Sequence, residues 1–269
     1  MSEAPEAIYR HPQDYELEHL GDTQDIEFFT TLVTRFQPKR VLELACGNGR
    51  VTLPLAQAGA CEGFEVVGLE MVPEMLEVAR NKQEGAEPEV RDRLSLQEGD
   101  MRTWQSPTPF DLIVTPCSSV CHLLTLEDQL AAWRCAYQNL VRGGRFVVDI
   151  AMADFGSYMD TVRSPPREWV EVDRDTYEAQ TQTRLIRSKT TRYFAHEQRA
   201  RIRYFYDKYV GQAQPERSVS DFESHVYYPR EVELLFRHTR FDVEAVYGDY
   251  QRQPLKPTST QMIFIGHKP

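Results

Sequence analysis

No apolar run in the chain approaches the length a helix needs to span a bilayer, and residues 1–10 lack the apolar core of a secretory signal. Membrane-spanning and exported classes are thereby set aside, and a cytoplasmic location is expected. A basic surplus is also missing: 31 Lys plus Arg stand against 41 Asp plus Glu, for a formal charge of -10. A general nucleic-acid binder needs the reverse balance to neutralise phosphates, so no nucleic-acid partner is expected, with RNA held by a local patch left open. The five cysteines (positions 46, 61, 117, 121 and 135) form no CxxC pair, and their odd number suits a reduced chain. Cys117 and Cys121, four apart, do not make a zinc site by themselves, and no metal is expected. Wholesale disorder is excluded, because 41% of the 269 residues are hydrophobic, enough to bury the core of one large domain or two small ones.

Strands and helices alternate through the first 150 residues. Residues 1–21 are polar and suggest a mobile N-terminal arm. Ile26, Phe29, Val33 and Phe36 recur at helical spacing after Asp22, a suitable N-cap, and Pro38 ends the segment. Arg40 to Leu44 is a short buried strand leading into the turn Cys46-Gly47-Asn48-Gly49, and residues 50–58 form a helix closed by Gly59. Phe64 to Glu70 is a second strand, with Pro73 in the first turn of the next helix. Leu94 to Glu98 and Phe110 to Val114 are the third and fourth strands. Thr125 and Asp128 predict a capping box for the helix carrying Leu126, Leu130, Trp133, Tyr137 and Leu140. Gly143-Gly144 ends that helix, and Arg145 to Ile150 is the fifth strand. This alternation predicts an α/β, doubly wound, mostly parallel sheet covered on both faces.

The texture changes over 155–221, which suggest an antiparallel β insertion after the fifth strand. Its arginines at 184, 187, 199, 201 and 203 are expected to pair across strands with acids such as Asp173 and Glu223. A helix from Glu231 to His238 and two strands, Phe241 to Tyr247 and Gln261 to Gly266, return to the first domain, giving it the bounds 22–154 and 222–269.

The chemistry gathers where strands end. A glycine turn at a strand's carboxyl end lets a ligand approach bare backbone and offers amides at the start of the next helix. Strand-to-helix turns also use glycine for geometry alone. The third glycine of a dinucleotide fingerprint is absent, Thr52 standing in its place, which argues against a nicotinamide-dependent oxidoreductase. Glu70, at the end of the second strand and 70 − 49 = 21 positions past Gly49, is placed to accept ribose hydroxyls, or else serves as a dipole-favoured acid at a helix start.

In that order, Glu43-Leu-Ala45-Cys-Gly47-Asn-Gly49, Gly68-Leu-Glu70-Met71-Val-Pro, Gly99-Asp100-Met101, Phe110 to Val114 and Leu140 to Phe146 resemble the five motifs of class I S-adenosylmethionine-dependent methyltransferases. The resemblance covers roughly residues 40–150. It implies a Rossmann-like seven-stranded sheet and S-adenosyl-L-methionine as cofactor, with S-adenosyl-L-homocysteine as product. It also implies a cofactor site of Tyr15, Glu43, Ala45, Gly47, Gly49, Glu70, Met71, Asp100, Met101 and Thr115, with Glu70 on the ribose and Asp100 on the adenine amino group. The stretch from Tyr15 to His19, the run from Ser118 to Leu123 and the tail from Tyr247 to Tyr250 are similar to a small-molecule subgroup that includes amino-sugar and glycine-type N-methyltransferases. That likeness implies a small-molecule acceptor, nitrogen or oxygen, a substrate lid at 155–221, and His122 and Tyr15 as catalytic residues. A non-catalytic S-adenosylmethionine-binding protein is the alternative. A homodimer is a possible assembly. Thr115-Pro116-Cys117-Ser118 stands where enzymes of planar amide nitrogens carry Asn-Pro-Pro-Tyr, which lowers nucleic-acid and glutamine substrates.

Overall fold

The computed structural model describes residue 9 and residues 12–163 and 166–269; the remainder of the expected arm, and residues 164 and 165 of the insertion, lie outside the described residues. In chain order the first part holds α1 (Pro12–Glu18), α2 (Gln24–Phe36), β1 (Arg40–Leu44), α3 (Thr52–Glu62), β2 (Glu65–Glu70) and α4 (Pro73–Glu84). It continues with α5 (Pro88–Arg91), β3 (Leu94–Glu98), β4 (Phe110–Thr115), α6 (Leu126–Asn139) and β5 (Leu140–Ala151). Then come α7 (Phe155–Thr161), β6 (Glu171–Glu178), β7 (Thr183–Phe194), β8 (Arg199–Val210) and β9 (Glu216–His225). Helix α8 (Pro229–His238), β10 (Asp242–Tyr247) and β11 (Gln261–His267) close the chain.

The chain divides into two compact units. The larger comprises Thr23–Ala153 and Tyr227–Pro269 and holds a seven-stranded sheet ordered β10-β11-β5-β4-β1-β2-β3. Strands β1 to β5 run parallel, β11 pairs antiparallel with β5, and β10 at the edge pairs antiparallel with β11 and so runs with the first five. Alternate side chains feed two cores, as a sheet buried on both faces requires. Val41, Val66, Leu112 and Val147 pack with Phe29 and Leu32 of α2 and Leu55 of α3. Leu42, Val67, Ile113 and Phe146 pack with Trp133 of α6 and Phe236 of α8. The strand order reverses direction between β1 and β4, which opens a crevice at their carboxyl ends.

Four sequence expectations change here. Thr23, not Asp22, is the N-cap of α2, and the Asp22 carboxylate instead pairs with Arg174 at 2.8 Å. Gly59 does not close α3. It lies inside the helix, where a Cβ would come 2.7 Å from the Phe64 carbonyl oxygen, and Gly63 at φ +88° ends the helix. Helix α6 stops at Asn139, and Gly143-Gly144 falls within β5, which begins at Leu140. Only half of the capping box forms: Thr125 Oγ1 accepts from the Asp128 amide at 3.1 Å, whereas the Asp128 carboxylate takes a bond from Arg102 at 2.8 Å.

The smaller unit joins Asp154–Val226 with the N-terminal residues through Asp22 and holds the antiparallel sheet β6-β7-β8-β9. It ends beyond residue 221 because β9 pairs with β8 as far as His225, opposite Arg199. The arginine stripe is answered by acids across the strands: Arg203 by Asp221 at 2.6 Å, Arg201 by Glu223 at 2.8 Å and Arg184 by Asp175 at 2.5 Å. From Pro12 the expected arm is part of this unit. Leu17 of α1 packs with Leu185 and Tyr206, and the buried Glu18 carboxylate accepts from Arg187 at 2.7 Å. An apolar and a charged anchor on one helix turn account for the docking.

Candidate active site

Nine of the ten residues expected to hold the cofactor stand together at the carboxyl ends of β1 to β4. After β1 the backbone turns through Ala45 at φ +55°, Gly47 at φ +55° and Gly49 at φ +79°. Left-handed backbone suits glycine, and Gly49 is doubly required: a Cβ there would lie 2.4 Å from Leu53 Cδ1 and 3.3 Å from Ala79 Cβ. The turn is fastened by Cys46 N–H to Leu69 O at 2.9 Å and by Gly49 N–H to Cys46 O at 3.0 Å.

Glu70 binds this turn to the next helix. Its Oε2 accepts from the Gly47 amide at 2.8 Å, and its Oε1 accepts from the amides of Met71 at 2.7 Å and Val72 at 2.8 Å. It therefore fills the helix-start role left open by the sequence, satisfying amides at the start of α4, which has no side-chain cap, and it also reaches the glycine turn. Burial raises its pKa above the ordinary carboxylate value, although the three amides oppose the shift. Met71 beside it is 44% exposed, an apolar side chain open to a ligand. Gly99 N–H bonds to Glu70 O at 2.9 Å, which sets Asp100 against the same strand end.

Asp100 is held by its own neighbour. Arg102 donates from its backbone amide at 2.9 Å and from Nε and Nη2 at 2.9 Å and 2.6 Å, while its Nη1 reaches Asp128. Burial would raise the Asp100 pKa, but these bonds and the adjacent charge win and hold it low. Met101 is half-buried and packs against the apolar core. Glu43 is fully buried and accepts from Thr52 Oγ1 at 2.6 Å; burial pushes it up to about 8. Thr115, also buried, ends β4, and its Oγ1 has no hydrogen-bond partner among the described residues.

The sequence of this segment matches a known family model, described as a methyltransferase domain, over residues 41–144. Residues 41–144 are a methyltransferase domain. Streptomyces venezuelae DesVI has this fold at 21% identity, with a TM-score of 0.74 over 96% of this chain and 98% of that one. CalS10, an amino pentose methyltransferase from Micromonospora echinaspora, matches at 19% identity and a TM-score of 0.71 over 100% of both chains. YqeM of Bacillus subtilis (strain 168) is 31% identical over 111 residues, 41% of this chain and 42% of its own length. The matches thus span between 14% and 53% of the lengths of such curated relatives. The doubly wound, Rossmann-like fold expected from the sequence is the methyltransferase fold of these structures.

Within the methyltransferase domain, His122 closes a 3-10 turn, Ser119–His122, after β4 and is half-buried. A positive charge on its ring would lower the pKa of the Glu70 carboxyl, so the two lie within electrostatic reach. Tyr15 is in the smaller unit, on α1, with its ring centroid 4.2 Å from that of His19. Among the described residues no group of three or more His, Cys, Asp and Glu is arranged to hold a metal ion.

Sequence reasoning missed a buried charge network in the methyltransferase domain. Arg50 forms a two-pronged ion pair with Asp25 of α2 and donates to Cys117 Sγ at 2.7 Å. Asp149 of β5 accepts from Tyr250 Oη at 2.9 Å and from the Cys117 amide at 3.2 Å. Burial raises Asp149 to about 7, whereas the bonds and charge of Arg50 outweigh burial at Asp25 and hold it low. The available signal was an acid on an otherwise apolar face: Asp25 lines up with Phe28, Phe29 and Leu32, and Asp149 interrupts an apolar run.

Proposed function

We propose that the chain is an S-adenosylmethionine-dependent methyltransferase that transfers a methyl group to a nitrogen of a small, amino-sugar-like molecule. The observation that carries this reading is the Glu70 carboxylate at the end of β2 in a methyltransferase domain, bonded to Gly47 of the turn after β1 and retaining a lone pair on Oε2. The residues fit the donor. A carboxylate suits a ribose hydroxyl, the exposed Met71 suits a purine face, and the ionised Asp100 suits an exocyclic amine. Left-handed Gly47 leaves bare backbone where a Cβ would stand 3.2 Å from Met75 Cε. When bound, the donor supplies a methyl group already activated by a sulfonium.

This chain's own residues bind, orient and exclude water. Positioning of this kind supplies about 7–11 kcal/mol in favourable cases, so no electron sink is needed. His122 accepts the proton of the incoming nitrogen or holds it by a hydrogen bond. The amino-sugar assignment is supported by CalS10, an amino pentose methyltransferase of matching fold. The charge of -10 favours a small acceptor over nucleic acid. The five cysteines are free thiols, which suits the cytoplasm, and a homodimer is the assembly to test by light scattering.

Calorimetry with S-adenosylhomocysteine on the whole chain tests the donor site, and isotopically labelled S-adenosylmethionine offered with a panel of amino sugars tests the transfer. Label on an amine nitrogen is expected. No binding at millimolar donor ends the reading, and label on a hydroxyl alone corrects the acceptor atom.

A further inference from the structure

We infer that Asp149 is a positioning residue for the turn after β4, its side chain holding Cys117 and Ser118 in a paired left-handed conformation and so setting where the segment to His122 stands. The functional meaning of this hold rests on the proposed methyltransferase reading; the hold itself does not.

Cys117 has φ +55° and Ser118 φ +58°, two consecutive residues in a region that side chains other than glycine rarely adopt. Strain of this kind persists only where the surroundings over-determine it. Here β5 supplies the restraint. Cys117 N–H donates to Asp149 Oδ2 at 3.2 Å, Ser118 N–H donates to Asp149 O at 3.1 Å, and the Ala151 amide donates to Ser118 Oγ at 2.9 Å. Of these contacts only the first is made by an ionisable side chain, and it is the one a change of charge can switch.

The Asp149 carboxyl is 1% exposed, and its Oδ1 has no hydrogen-bond partner among the described residues. The groups that face it come from four elements: Asp25 of α2, Arg50 after β1, the Cys117 thiol and amide after β4, and the Tyr250 hydroxyl beyond β10. Burial and Asp25 raise its pKa to about 7, against Tyr250, the Cys117 amide and Arg50. The carboxyl therefore changes charge near neutrality. Ionised, it accepts the Cys117 and Tyr250 bonds as a charged acceptor; protonated, it holds both more weakly. The turn is firmest on the alkaline side.

Amide hydrogen exchange of the whole chain, followed by NMR from pH 5.5 to 8.5, tests the inference without any acceptor substrate. In the wild type, Cys117 protection, corrected for intrinsic exchange, is expected to rise about tenfold with a midpoint near 7. Asp149→Asn keeps an acceptor oxygen and cannot titrate, so its protection should stay at the wild-type acidic value at every pH. Asp149→Ala should lose a further tenfold or more at Cys117, while the amides of β1 and β2 stay protected and report an intact sheet. Cys117 protection that is unchanged in Asp149→Ala, or that still titrates in Asp149→Asn, overturns the inference. S-adenosylhomocysteine calorimetry on the wild type runs in parallel, and absence of binding there counts against the methyltransferase reading alone.

Discussion

Replacing Glu70 by glutamine separates two duties that one carboxylate performs. Oε1 faces two donors, the amides of Met71 and Val72, and Oε2 faces one, the amide of Gly47. A glutamine has a single oxygen. Its better orientation turns that oxygen toward the Met71 and Val72 pair, which leaves its NH2 against the Gly47 N–H, donor facing donor. The start of α4 keeps its bonds, weakened by loss of charge, and the glycine turn loses its tie. Leaving a buried donor unpaired costs about 1–3 kcal/mol, and losing a bond to a charged acceptor costs about 1.5–3 kcal/mol. Folding stability recovers part of this, because the neutral side chain no longer has to bury a charge. Cofactor affinity has no such offset. We expect the dissociation constant for S-adenosylhomocysteine to rise roughly 10- to 150-fold, while urea denaturation at pH 7 shows a loss of about 2 kcal/mol or less. Glu70→Ala should weaken both, and Glu70→Asp, one methylene shorter, should fall between Gln and wild type in affinity. Calorimetry and denaturation on the same preparations make the comparison. A Glu70→Gln affinity within threefold of wild type would refute the assignment of the carboxylate to the turn and the ribose.

Asp149, raised to about 7, and Glu43, raised to about 8, bind protons more tightly folded than unfolded. Their contribution is fully present below about pH 4 and is lost as pH rises to 7 and 8, at up to about 1.4 kcal/mol per pH unit for each group. Urea midpoints should therefore fall between pH 5 and 8, and Asp149→Asn and Glu43→Gln should each flatten the slope; a wild-type midpoint that climbs over this range contradicts the sign. His122→Ala should lower turnover about 10²–10⁴-fold if the imidazole takes the proton, with S-adenosylhomocysteine affinity little changed. Stopped kinetics on the amine acceptor across pH 6–9 measure it, and a drop of a few-fold assigns the ring to orientation. Gly68→Ala would put a Cβ 2.9 Å from both Cys46 Sγ and Leu96 Cδ2, an overpacking cost of about 1–3 kcal/mol. Thermal unfolding should show partial recovery in the double variant with Cys46→Ala, and an unperturbed single variant would mean the strand relaxes freely.

The parallel sheet was legible because its signals are local: apolar runs at 41–44, 66–69 and 112–114, each closed by a turn of identifiable chemistry. Glu70 and the glycine turn were legible for the same reason, both lying at strand ends within 24 residues of each other. Helix ends were less so, since Gly59 and Gly63 look alike until the Phe64 carbonyl beside one of them is seen. The network of Asp25, Arg50, Cys117, Asp149 and Tyr250 was invisible as a unit. Its members are up to 225 positions apart, as the numbers 25 and 250 show, and only the strand order β5-β4-β1 brings their elements together. The docking of α1 on the small sheet was hidden likewise, resting on Leu185 and Arg187 far along the chain.

The absence of a third glycine at position 52 has a counterpart on β2. Gly68 has no Cβ where one would come within 3.1 Å of Thr52 Cγ2, and the Thr52 hydroxyl in turn caps the buried Glu43. Close approach of α3 to the sheet is thus obtained from the strand's side of the contact instead of the helix's. Positions 43, 52 and 68 form one evolutionary unit as a result. A descendant that puts a side chain at 68 must make room at residue 52 as well as at 46 and 96, and a smaller residue 52 takes away the hydroxyl bonded to the acid at 43. Aligned relatives should therefore alternate between two complete sets at these positions, acid with threonine and a strand glycine, or a neutral residue with a helix glycine and a strand side chain, and mixed sets should be rare.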